Sequence, residues 1–288
     1  MSHPDITVVI PFYNRAGTVV AAAESALAQH GPSVELVAVD DFSADDGAER
    51  LVALADPRLR LIRHAANRGA AAARNTGVAA ARAPLVAFLD SDDRFLPGKL
   101  AAQVALLERE RLDFCFTGFL LGETNKRVVR LDTPPIGWAE NFLDGCFVSP
   151  GSTQLARADA LARLGPLDES LRRFEDWDFL LRAARAGARF GAVPDPLAEI
   201  FPSPHPAPKA LEAALGTLAE RHAGPIAARF GAASRRRFQA SLALERAVAR
   251  ARAGDRAGAL LAALPALASP GRLAALARRL VANRAAKP

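Results

Sequence analysis

The sequence predicts an α/β fold in which a mostly parallel sheet is flanked by helices and followed by a helical C-terminal appendage. Short, continuous apolar or β-branched runs alternate with helical patterns through the first half of the chain. Strands that are buried on both faces of a parallel sheet produce such runs. After a Pro-rich stretch at 194–208, Ala, Leu and Arg recur in helical patterns instead.

The elements follow in order along the first half. A β-branched run over 6–10 predicts the first strand, and helical spacing from Val19, behind Thr18 as an N-cap, predicts the first helix. The same alternation predicts strands at 34–39, 59–62 and 85–89 and helices at 45–55 and 69–82.

The second half of the α/β region is less regular. A helix with Leu100, Val104 and Leu107 on one face follows Pro97. Further along, the pattern predicts strands at 114–119, 127–131 and 189–193 and helices at 152–163 and 176–186.

Charge divides the chain into the same two parts, which we predict as domains 1–208 and 209–288. Residues 209–288 hold 15 Lys/Arg and four Asp/Glu, a net charge of +11, whereas 22 Lys/Arg and 27 Asp/Glu give the rest a net charge of −5. The first part could hold a cation among carboxylates, and the second suits anionic partners. Its basic residues lack interleaved aromatic rings, which argues against nucleic acid as the partner.

Composition favours a globular protein in a reducing compartment. Half of the 288 residues are hydrophobic, only Met1–Asp5 precede the first apolar run, and no stretch approaches the ~18 apolar residues of a membrane span. We therefore expect a cytoplasmic protein that neither spans a membrane nor is secreted. Cys115 and Cys146 have apolar flanks and are expected to be buried free thiols.

Ligands of open parallel sheets bind at the carboxyl ends of the strands. Three of these ends are polar, namely Pro11-Phe12-Tyr13-Asn14-Arg15, Asp40-Asp41-Phe42-Ser43 and Asp90-Ser91-Asp92-Asp93. Clustered carboxylates repel one another unless a cation or hydrogen-bond donors relieve them, so the third end suggests a divalent ion beside phosphate. A helix N-cap and turn would use the same residue types, and the residues alone leave both interpretations open.

Four strings in order along the chain carry a family resemblance: VVIPFYNR, VDDFSADD, NRGAAAARNTGVAAARAPLVAFLDSDD and FEDWDFLLR. Together they resemble glycosyltransferase family 2 over roughly residues 6–206. The resemblance implies a GT-A fold and inverting, metal-dependent transfer of a sugar from a nucleoside-diphosphate sugar to a hydroxyl of a glycan or lipid-linked acceptor. It favours UDP-sugars as donors and a role in polysaccharide biosynthesis of the cell envelope.

The resemblance also implies roles for residues that bind the nucleotide. Pro11, Tyr13 and Asn14 would line the nucleotide pocket, with Tyr13 stacking on the base, unless Tyr13 is a buried turn residue. Asp41 would accept a hydrogen bond from the imide N–H of the base. Arg74 would bind the donor diphosphate, because a planar guanidinium pairs with two oxygens, unless it is a surface arginine.

By the same resemblance, the carboxylates after the fourth strand would bind the donor sugar and the ion. Asp90 and Ser91 would contact the nucleotide-sugar, Asp90 at the ribose or the metal, and Asp92 would be the direct ligand of Mg²⁺ or Mn²⁺. Asp93 is expected to cap the next segment. His205 would lie near the metal or the diphosphate, although an exposed loop histidine fits its position as well. The other histidines have no functional residues around them in sequence.

Asp176 is the expected catalytic base, because Glu175-Asp176 begins the segment that matches the family's Glu-Asp-x-x-Leu-x-x-Arg pattern. It would take the proton of the acceptor hydroxyl as that oxygen attacks the anomeric carbon. An N-cap carboxylate is the structural alternative. Trp177 fits the helix core better than a sugar platform.

Two other functions and two roles for the appendage stay open. A nucleotidyltransferase would carry a Gly-rich basic loop after the first strand, which this chain lacks. A non-catalytic nucleotide-binding scaffold would not need Asp92 and Asp176. The appendage alternates arginines with leucines on amphipathic helices, which could adsorb to anionic lipid at the inner face of the membrane. Its leucines could instead pack on the catalytic domain or on a second copy in a homo-oligomer.

Overall fold

The computed structural model describes residues 3–122, 126–132, 134, 137–146, 148, 151–201 and 208–268. The strands are β1 Ile6–Phe12, β2 Val34–Asp40, β3 Leu59–Arg63, β4 Leu85–Phe88, β5 Arg94–Phe95, β6 Phe114–Leu121, β7 Arg127–Val129, β8 Leu155–Arg157 and β9 Phe190–Ile200. The α-helices are α1 Val19–Leu27, α2 Gly47–Val52, α3 Ala70–Ala80, α4 Lys99–Arg109, α5 Trp138–Phe142, α6 Ala158–Leu164, α7 Glu175–Arg185, α8 Pro208–Phe230, α9 Ala232–Arg252 and α10 Arg256–Ala263. Two 3₁₀ helices span Gly151–Thr153 and Leu264–Ala268.

The strands form one sheet in the order β3-β2-β1-β4-β8-β6-β9-β5, with β7 added beside β6. The first four strands are parallel, β8 runs antiparallel to both β4 and β6, and β9 runs parallel to β6. The mostly parallel α/β sheet predicted from the sequence is therefore confirmed. Because β1 lies between β2 and β4, the three polar strand ends fall at one edge of the sheet.

The side chains of β2 alternate between two apolar layers. Leu36 and Ala38 pack in the larger core with residues of α1, α2 and α4. Val37 and Val39 pack on the other face against Ala73 of α3. All seven residues of β2 are buried, which explains why residues 36–39 are all apolar and do not alternate with polar residues.

Helix α3 lies very close to β1 at Gly77. A Cβ placed on Gly77 would overlap the Val9 side chain, which is itself fully buried. Glycine at this position therefore allows the helix to approach the strand, and α3 is held at a fixed depth above the sheet.

Two predicted elements in the second half are wrong. The helix expected over 152–163 is a 3₁₀ turn, the strand β8 and the short helix α6, because Leu155 pairs with both Ala87 and Cys115 and this pairing overrides local helix propensity. The strand expected to end at Val193 continues through the prolines to Ile200. The pairing of β9 with β6 shifts register around Gly118, and such irregularities accommodate proline.

The start of α1 also differs in detail from the prediction. Thr18 occupies the N-cap position, but its side chain makes no capping hydrogen bond. The first turn of α1 is closed by backbone bonds instead, with the N–H groups of Thr18 and Val19 donating to the Arg15 carbonyl.

The chain divides into two compact units, one of residues 1–138 and 147–203 and one of residues 139–146 and 204–288. The second unit contains α8, α9 and α10, so a helical C-terminal part is present as predicted. Within it, Arg237 of α9 binds Asp144 through two nitrogens, and Arg246 binds Glu212 of α8 at 2.6 Å. No described helix is both long enough and apolar enough to cross a membrane.

Replacing Gly77 with alanine tests the close approach of α3 to β1. We expect Gly77→Ala to lower the free energy of unfolding by about 1–3 kcal/mol, because the rigid, buried Val9 side chain must move. The matched control is Gly216→Ala in α8, where a Cβ meets nothing within 4 Å. It should be neutral or stabilising by up to about 1 kcal/mol. Equal stability of the two variants in urea denaturation would contradict the expectation.

Candidate active site

Hydrogen bonds join the loops that follow β1 and β2. The Asn14 backbone N–H donates to Ser43 Oγ at 2.9 Å, and Asn14 Oδ1 accepts from the Ala44 N–H at 2.8 Å. Asn14 adopts a φ of 52°, a left-handed conformation that asparagine tolerates better than most residues. Tyr13 and Phe42 are 47% and 54% exposed. Tyr13 is therefore not a buried turn residue, and its ring is accessible for stacking.

Asp40 braces the loop after β2. Its Oδ1 accepts from the Ser43 N–H at 2.8 Å, and its Oδ2 lies 3.0 Å from Arg63 Nε. The side chain is fully buried. Asp40 thus holds Ser43, which in turn binds the loop after β1.

The carboxylate of Asp41 is engaged by three donors inside the protein. Oδ1 accepts from His64 Nδ1 at 2.8 Å and from the Arg68 N–H at 2.9 Å, and Oδ2 accepts from the Gly69 N–H at 2.7 Å. Asp41 is only 3% exposed. The residue predicted to bind the nucleotide base therefore also holds the two residues that precede α3.

Arg74 of α3 bridges two carboxylates that come from distant parts of the chain. Nη2 donates to Asp90 Oδ1 at 2.6 Å, and Nη1 donates to Glu175 Oε1 at 2.7 Å. Burial alone would lower the pKa of Arg74, but the neighbouring charges of Asp90 and Glu175 raise it above its usual value. Only 13% of the side chain is exposed, so Arg74 is not a surface arginine.

The next residue of α3, Asn75, holds the loop that precedes α7. Its Nδ2 donates to the Leu167 carbonyl at 2.9 Å and to Glu169 Oε1 at 3.2 Å, and its Oδ1 accepts from the Leu167 N–H. Glu169 also binds Arg68 at 2.9 Å. The hydrogen bonds from Asn75 and Arg68 lower the pKa of Glu169.

Asp93, which was expected to cap the next segment, ties the turn after β4 to more distant elements through its side chain. It is 2% exposed, its Oδ2 accepts from Ser152 Oγ, and its Oδ1 accepts from the Phe201 N–H at 3.0 Å. Ser152 Oγ also accepts from the Asp90 N–H at 3.0 Å. Burial, together with the charge of Asp90, raises the pKa of Asp93 to about 8. Helix α4 begins only at Lys99.

Like Asp90, whose side chain is 26% exposed, Asp92 is a partly exposed acid of this turn. Its side chain is 22% exposed and lies 3.6 Å from Arg15 Nη2, whereas Ser91 is buried. Among the described residues, no group of three or more His, Cys, Asp and Glu side chains could hold a metal ion by itself. The predicted second ligand, His205, lies outside the described residues.

Helix α7 begins at Glu175, as the sequence indicates. Asp176 is partly exposed, and its Oδ1 accepts from the Trp177 N–H at 2.7 Å, while Phe174 occupies the N-cap position in a left-handed conformation. Trp177 is 1% exposed and belongs to the core, as predicted. Burial, with a contribution from the charge of Asp176, raises the pKa of Glu175 against the opposing effect of Arg74.

A pocket of about 160 Å³ lies between the N-termini of α3 and α7. Gly69 adopts a φ of 94°, and a Cβ there would lie 2.5 Å from Arg172 Nη1, so only glycine lets this guanidinium cover the start of α3. The lining residues combine guanidinium donors with carboxylate acceptors: Arg68, Gly69, Ala70, Ala71, Glu169, Leu171, Arg172 and Glu175. Such a mixture suits the hydroxyl groups of a sugar, which both donate and accept hydrogen bonds.

A buried lysine, Lys99 of α4, lies in a hydrogen-bonded group next to the site. Lys99 is fully buried, its Nζ donates to Gln103 Oε1 at 2.7 Å, and it lies 4.0 Å above the ring of Phe95. Gln103 Nε2 donates in turn to the carbonyls of Cys115 at 2.7 Å and Thr153 at 2.9 Å. Burial lowers the pKa of Lys99 to about 7. Lys99 and Gln103 thus connect α4 to β6 and to the 3₁₀ turn that contains Ser152.

Direct contacts unite part of the predicted site. Arg74, Asp90 and the start of α7 form one cluster, while Tyr13 and Asn14 belong to the joined loops of β1 and β2. Pro11 lies inside β1 and is buried. Of the expected free thiols, Cys115 is buried and Cys146 is partly buried.

Sequence reasoning missed one residue of the site, His64. His64 was expected to have no functional neighbours, yet it binds Asp41 directly. It follows β3, so examining the carboxyl end of that strand as well would have identified it. Gly151-Ser152-Thr153 resembles the family's region that shapes the acceptor and sugar pockets, but the bonds of Ser152 to Asp90 and Asp93 carry no local signal, because these partners come from another element.

Comparisons with known proteins agree with this arrangement. The model of glycosyl transferase family 2 matches residues 7–151, about half of the chain. The succinoglycan biosynthesis protein ExoO of Rhizobium meliloti is 46% identical over 129 residues, which are 45% of this chain and 35% of that protein. The Escherichia coli enzyme WfgD, a UDP-Glc:α-D-GlcNAc-diphosphoundecaprenol β-1,3-glucosyltransferase, is 30% identical over 141 residues, 49% of this chain and 56% of that protein.

A solved structure shows the same fold. The mannosyltransferase PcManGT from Pyrobaculum calidifontis, in complex with GDP-Man and Mn²⁺, matches with a TM-score of 0.62 at 20% identity, over 99% of this chain and 81% of that chain. The GT-A expectation is thereby confirmed. This chain matches less than two thirds of the length of either curated relative.

Replacing Lys99 tests the buried lysine through its pH dependence. Because its pKa is lower in the folded chain than in the unfolded chain, protons bind preferentially to the unfolded chain between about pH 10 and pH 7. The stability that this lysine contributes at high pH is therefore lost as the pH falls towards 7. We expect the free energy of unfolding of Lys99→Met, relative to that of wild type, to rise by at least about 1 kcal/mol when the pH is lowered from 9.5 to 7.

The measurement is urea denaturation of both proteins at the two pH values. Lys126→Met is the control, because the Lys126 side chain is 35% exposed. The difference between its free energy of unfolding and that of wild type should be the same at both pH values. A pH-independent difference for Lys99→Met as well would contradict the expectation.

Proposed function

This chain belongs to glycosyl transferase family 2, and we propose that it transfers a sugar from a nucleoside-diphosphate sugar to a hydroxyl group of a glycan or lipid-linked acceptor. One observation carries the proposal. Arg74 links the carboxylate-rich turn after β4 to the start of α7, which bears the acid Asp176. In the proposed function, a donor-binding half and a proton-accepting half of the site would thus meet at the carboxyl edge of the sheet.

The nucleotide would bind across the joined loops of β1 and β2. The exposed ring of Tyr13 offers a stacking surface, and Asp41 lies directly after β2 for contact with the base edge. The name of WfgD specifies UDP-Glc as its donor, whereas PcManGT was solved with GDP-Man. We favour a UDP-sugar for this chain, in keeping with the curated relative.

The turn after β4 fits a divalent ion that takes most of its ligands from the donor. Asp92 and Asp90 both offer partly exposed carboxylates, Asp92 beside Arg15 and Asp90 beside Arg74, whereas Asp93 is buried. Mg²⁺ and Mn²⁺ sites of this kind use one or two carboxylates and complete the shell with phosphate oxygens and water. A bound ion would stabilise the negative charge that develops on the departing diphosphate. Arg74 would bind the same diphosphate through its guanidinium.

The transfer itself requires one proton acceptor on the acceptor side. The acceptor oxygen would attack the anomeric carbon from the face opposite the diphosphate, form the new glycosidic bond as the bond to the diphosphate oxygen breaks, and give its proton to Asp176. A single displacement of this kind inverts the anomeric configuration. Glu175 would hold Arg74 against the donor, and Asp176 would serve the acceptor.

Replacing Asp176 separates the chemistry from donor binding. We expect Asp176→Asn to keep the Kd for UDP with Mn²⁺ near that of wild type, while transfer falls by roughly 10²-fold or more because the general base is lost. Asp92→Asn is the contrasting variant, and it should lose the Mn²⁺-dependent part of UDP binding. Titration calorimetry and transfer assays measure both. Equal losses of binding and transfer in Asp176→Asn would indicate a structural role.

The second unit would bring the catalytic unit to an anionic membrane surface, where lipid-linked acceptors are found. Leu260, Leu261 and Leu264 are 73%, 68% and 54% exposed, and they lie in a region rich in arginine. The WfgD acceptor is linked to diphosphoundecaprenol, a lipid. Exposed leucines beside arginines favour adsorption to anionic lipid, because apolar insertion and charge attraction act together.

Vesicle co-sedimentation tests this membrane contact. We expect the full chain to bind anionic vesicles at low salt and to dissociate at high salt, because screening weakens attraction between arginines and lipid charge. The triple variant Leu260→Ser/Leu261→Ser/Leu264→Ser should bind more weakly, while Val128→Ser, at a residue 57% exposed in the first unit, should not change binding. A full chain that stays in the supernatant at low salt would favour packing or oligomerisation through the leucines.

A further inference from the structure

His64 is a buried histidine with both ring nitrogens engaged. It follows β3 directly, its backbone N–H donates to the Asp40 carbonyl at 2.9 Å, and it is 8% exposed. Nδ1 lies 2.8 Å from Asp41 Oδ1, and Nε2 lies 2.9 Å from Thr76 Oγ1 of α3. The ring therefore spans the gap between the end of β2 and the middle of α3.

The partners of His64 determine the direction of these hydrogen bonds. An ionised carboxylate only accepts, so the proton on Nδ1 must point to Asp41. In the neutral ring, Nε2 then accepts from the Thr76 hydroxyl. The hydrogen bonds thus run from the Thr76 hydroxyl to His64 and from His64 to Asp41. Thr76 and Asp41 together fix the orientation of the His64 ring.

The hydrogen bonds of Asp41 leave one acceptor position for a ligand. A carboxylate can accept about four hydrogen bonds, two at each oxygen. Within the described residues, Oδ1 receives two donors, from His64 and the Arg68 N–H, while Oδ2 receives only the Gly69 N–H. The free position is therefore on Oδ2, and the donors at Oδ1 fix the rotation of the carboxylate that presents it.

We propose that His64 is a positioning residue for donor recognition. It holds the Asp41 carboxylate so that the open position of Oδ2 is available to an N–H on the edge of the nucleotide base. The inference rests on the proposed function, in which this edge of the sheet binds a nucleoside diphosphate. It assigns to His64 a part in base binding and none in metal binding or in the chemical step.

The geometry separates this role from a general packing role. Arg68 and Gly69 would still donate to Asp41 after loss of the imidazole, so the loop before α3 would keep two of its three bonds. The carboxylate would lose one of the two donors at Oδ1 that fix its rotation. The contacts that Arg74 would make to the diphosphate do not involve His64, because Arg74 is held by Asp90 and Glu175.

Four proteins test the inference: wild type, His64→Leu, His64→Asn and His30→Leu. Asparagine places an N–H donor the same number of bonds from Cβ as Nδ1, so it can restore the bond to Asp41, whereas leucine cannot. His30 is exposed, so His30→Leu makes the same substitution away from the site. Titration calorimetry with Mn²⁺ measures the Kd of UDP and, separately, the Kd of inorganic pyrophosphate, which lacks the base.

We expect His64→Leu to weaken UDP binding about tenfold, which corresponds to 1.4 kcal/mol, and to leave pyrophosphate binding within about twofold of wild type. The KM for the UDP-sugar should rise in parallel while kcat stays nearly constant. His64→Asn should recover UDP affinity to within about threefold, and His30→Leu should match wild type.

Unchanged UDP affinity in His64→Leu would overturn the inference, and so would equal losses of UDP and pyrophosphate binding. Failure of His64→Asn to improve on His64→Leu would also overturn it, because the restored donor would then have no effect. A wild-type chain that binds none of UDP, GDP, CDP and dTDP would instead contradict the proposed function itself.

Discussion

The candidate site depends on one buried charge, the guanidinium of Arg74. It contacts Asp90, 16 residues further along the chain, and Glu175, 101 residues further along. Each carboxylate would be costly to bury without an opposite charge, and a buried guanidinium would be equally costly alone. The three groups therefore require one another, and their mutual dependence holds the turn after β4 and the start of α7 at a fixed separation. Donor and acceptor halves of a transferase site need such a fixed separation.

Helix α3 delivers this charge together with three other contacts. In four consecutive positions, Arg74 binds the acids, Asn75 holds the loop before α7, Thr76 bonds to His64 and Gly77 lies against β1. Successive residues of a helix point about 100° apart, so four neighbours can reach four different partners. The short string Arg-Asn-Thr-Gly thus connects the sheet, Asp41 (through His64) and the start of α7. It explains why the depth of α3 above β1 has consequences at the site.

Ionisable side chains buried beside the site lower the stability of the fold, because burial disfavours their charged forms. Asp93 and Lys99 are both buried, and burial favours the neutral form of each. It raises the pKa of Asp93 and lowers the pKa of Lys99. Asp93 holds the turn after β4 through Ser152, and Lys99 positions Gln103, which bonds to the neighbouring Thr153 carbonyl. An apolar interior would avoid these costs but would offer no directional bonds to orient the turn. The buried polar groups lower the stability of the fold, but their hydrogen bonds define the geometry around Asp90 and Asp92.

The sequence by itself determined the parallel half of the sheet, the polar strand ends and the start of α7, because each of these is a local pattern. A strand buried on both faces, such as β2, has a continuous apolar run, here residues 36–39. Ligands bind at the carboxyl ends of parallel strands, which places Asp41, Asp90 and Asp92 at one edge of the sheet. Only the tertiary structure decided that 155–157 is a strand, that His64 binds Asp41, and that Ser152 joins Asp90 to Asp93. These outcomes depend on pairing and hydrogen bonding between residues distant in sequence. Such contacts become available only when the chain has folded, so no window of neighbouring residues records them.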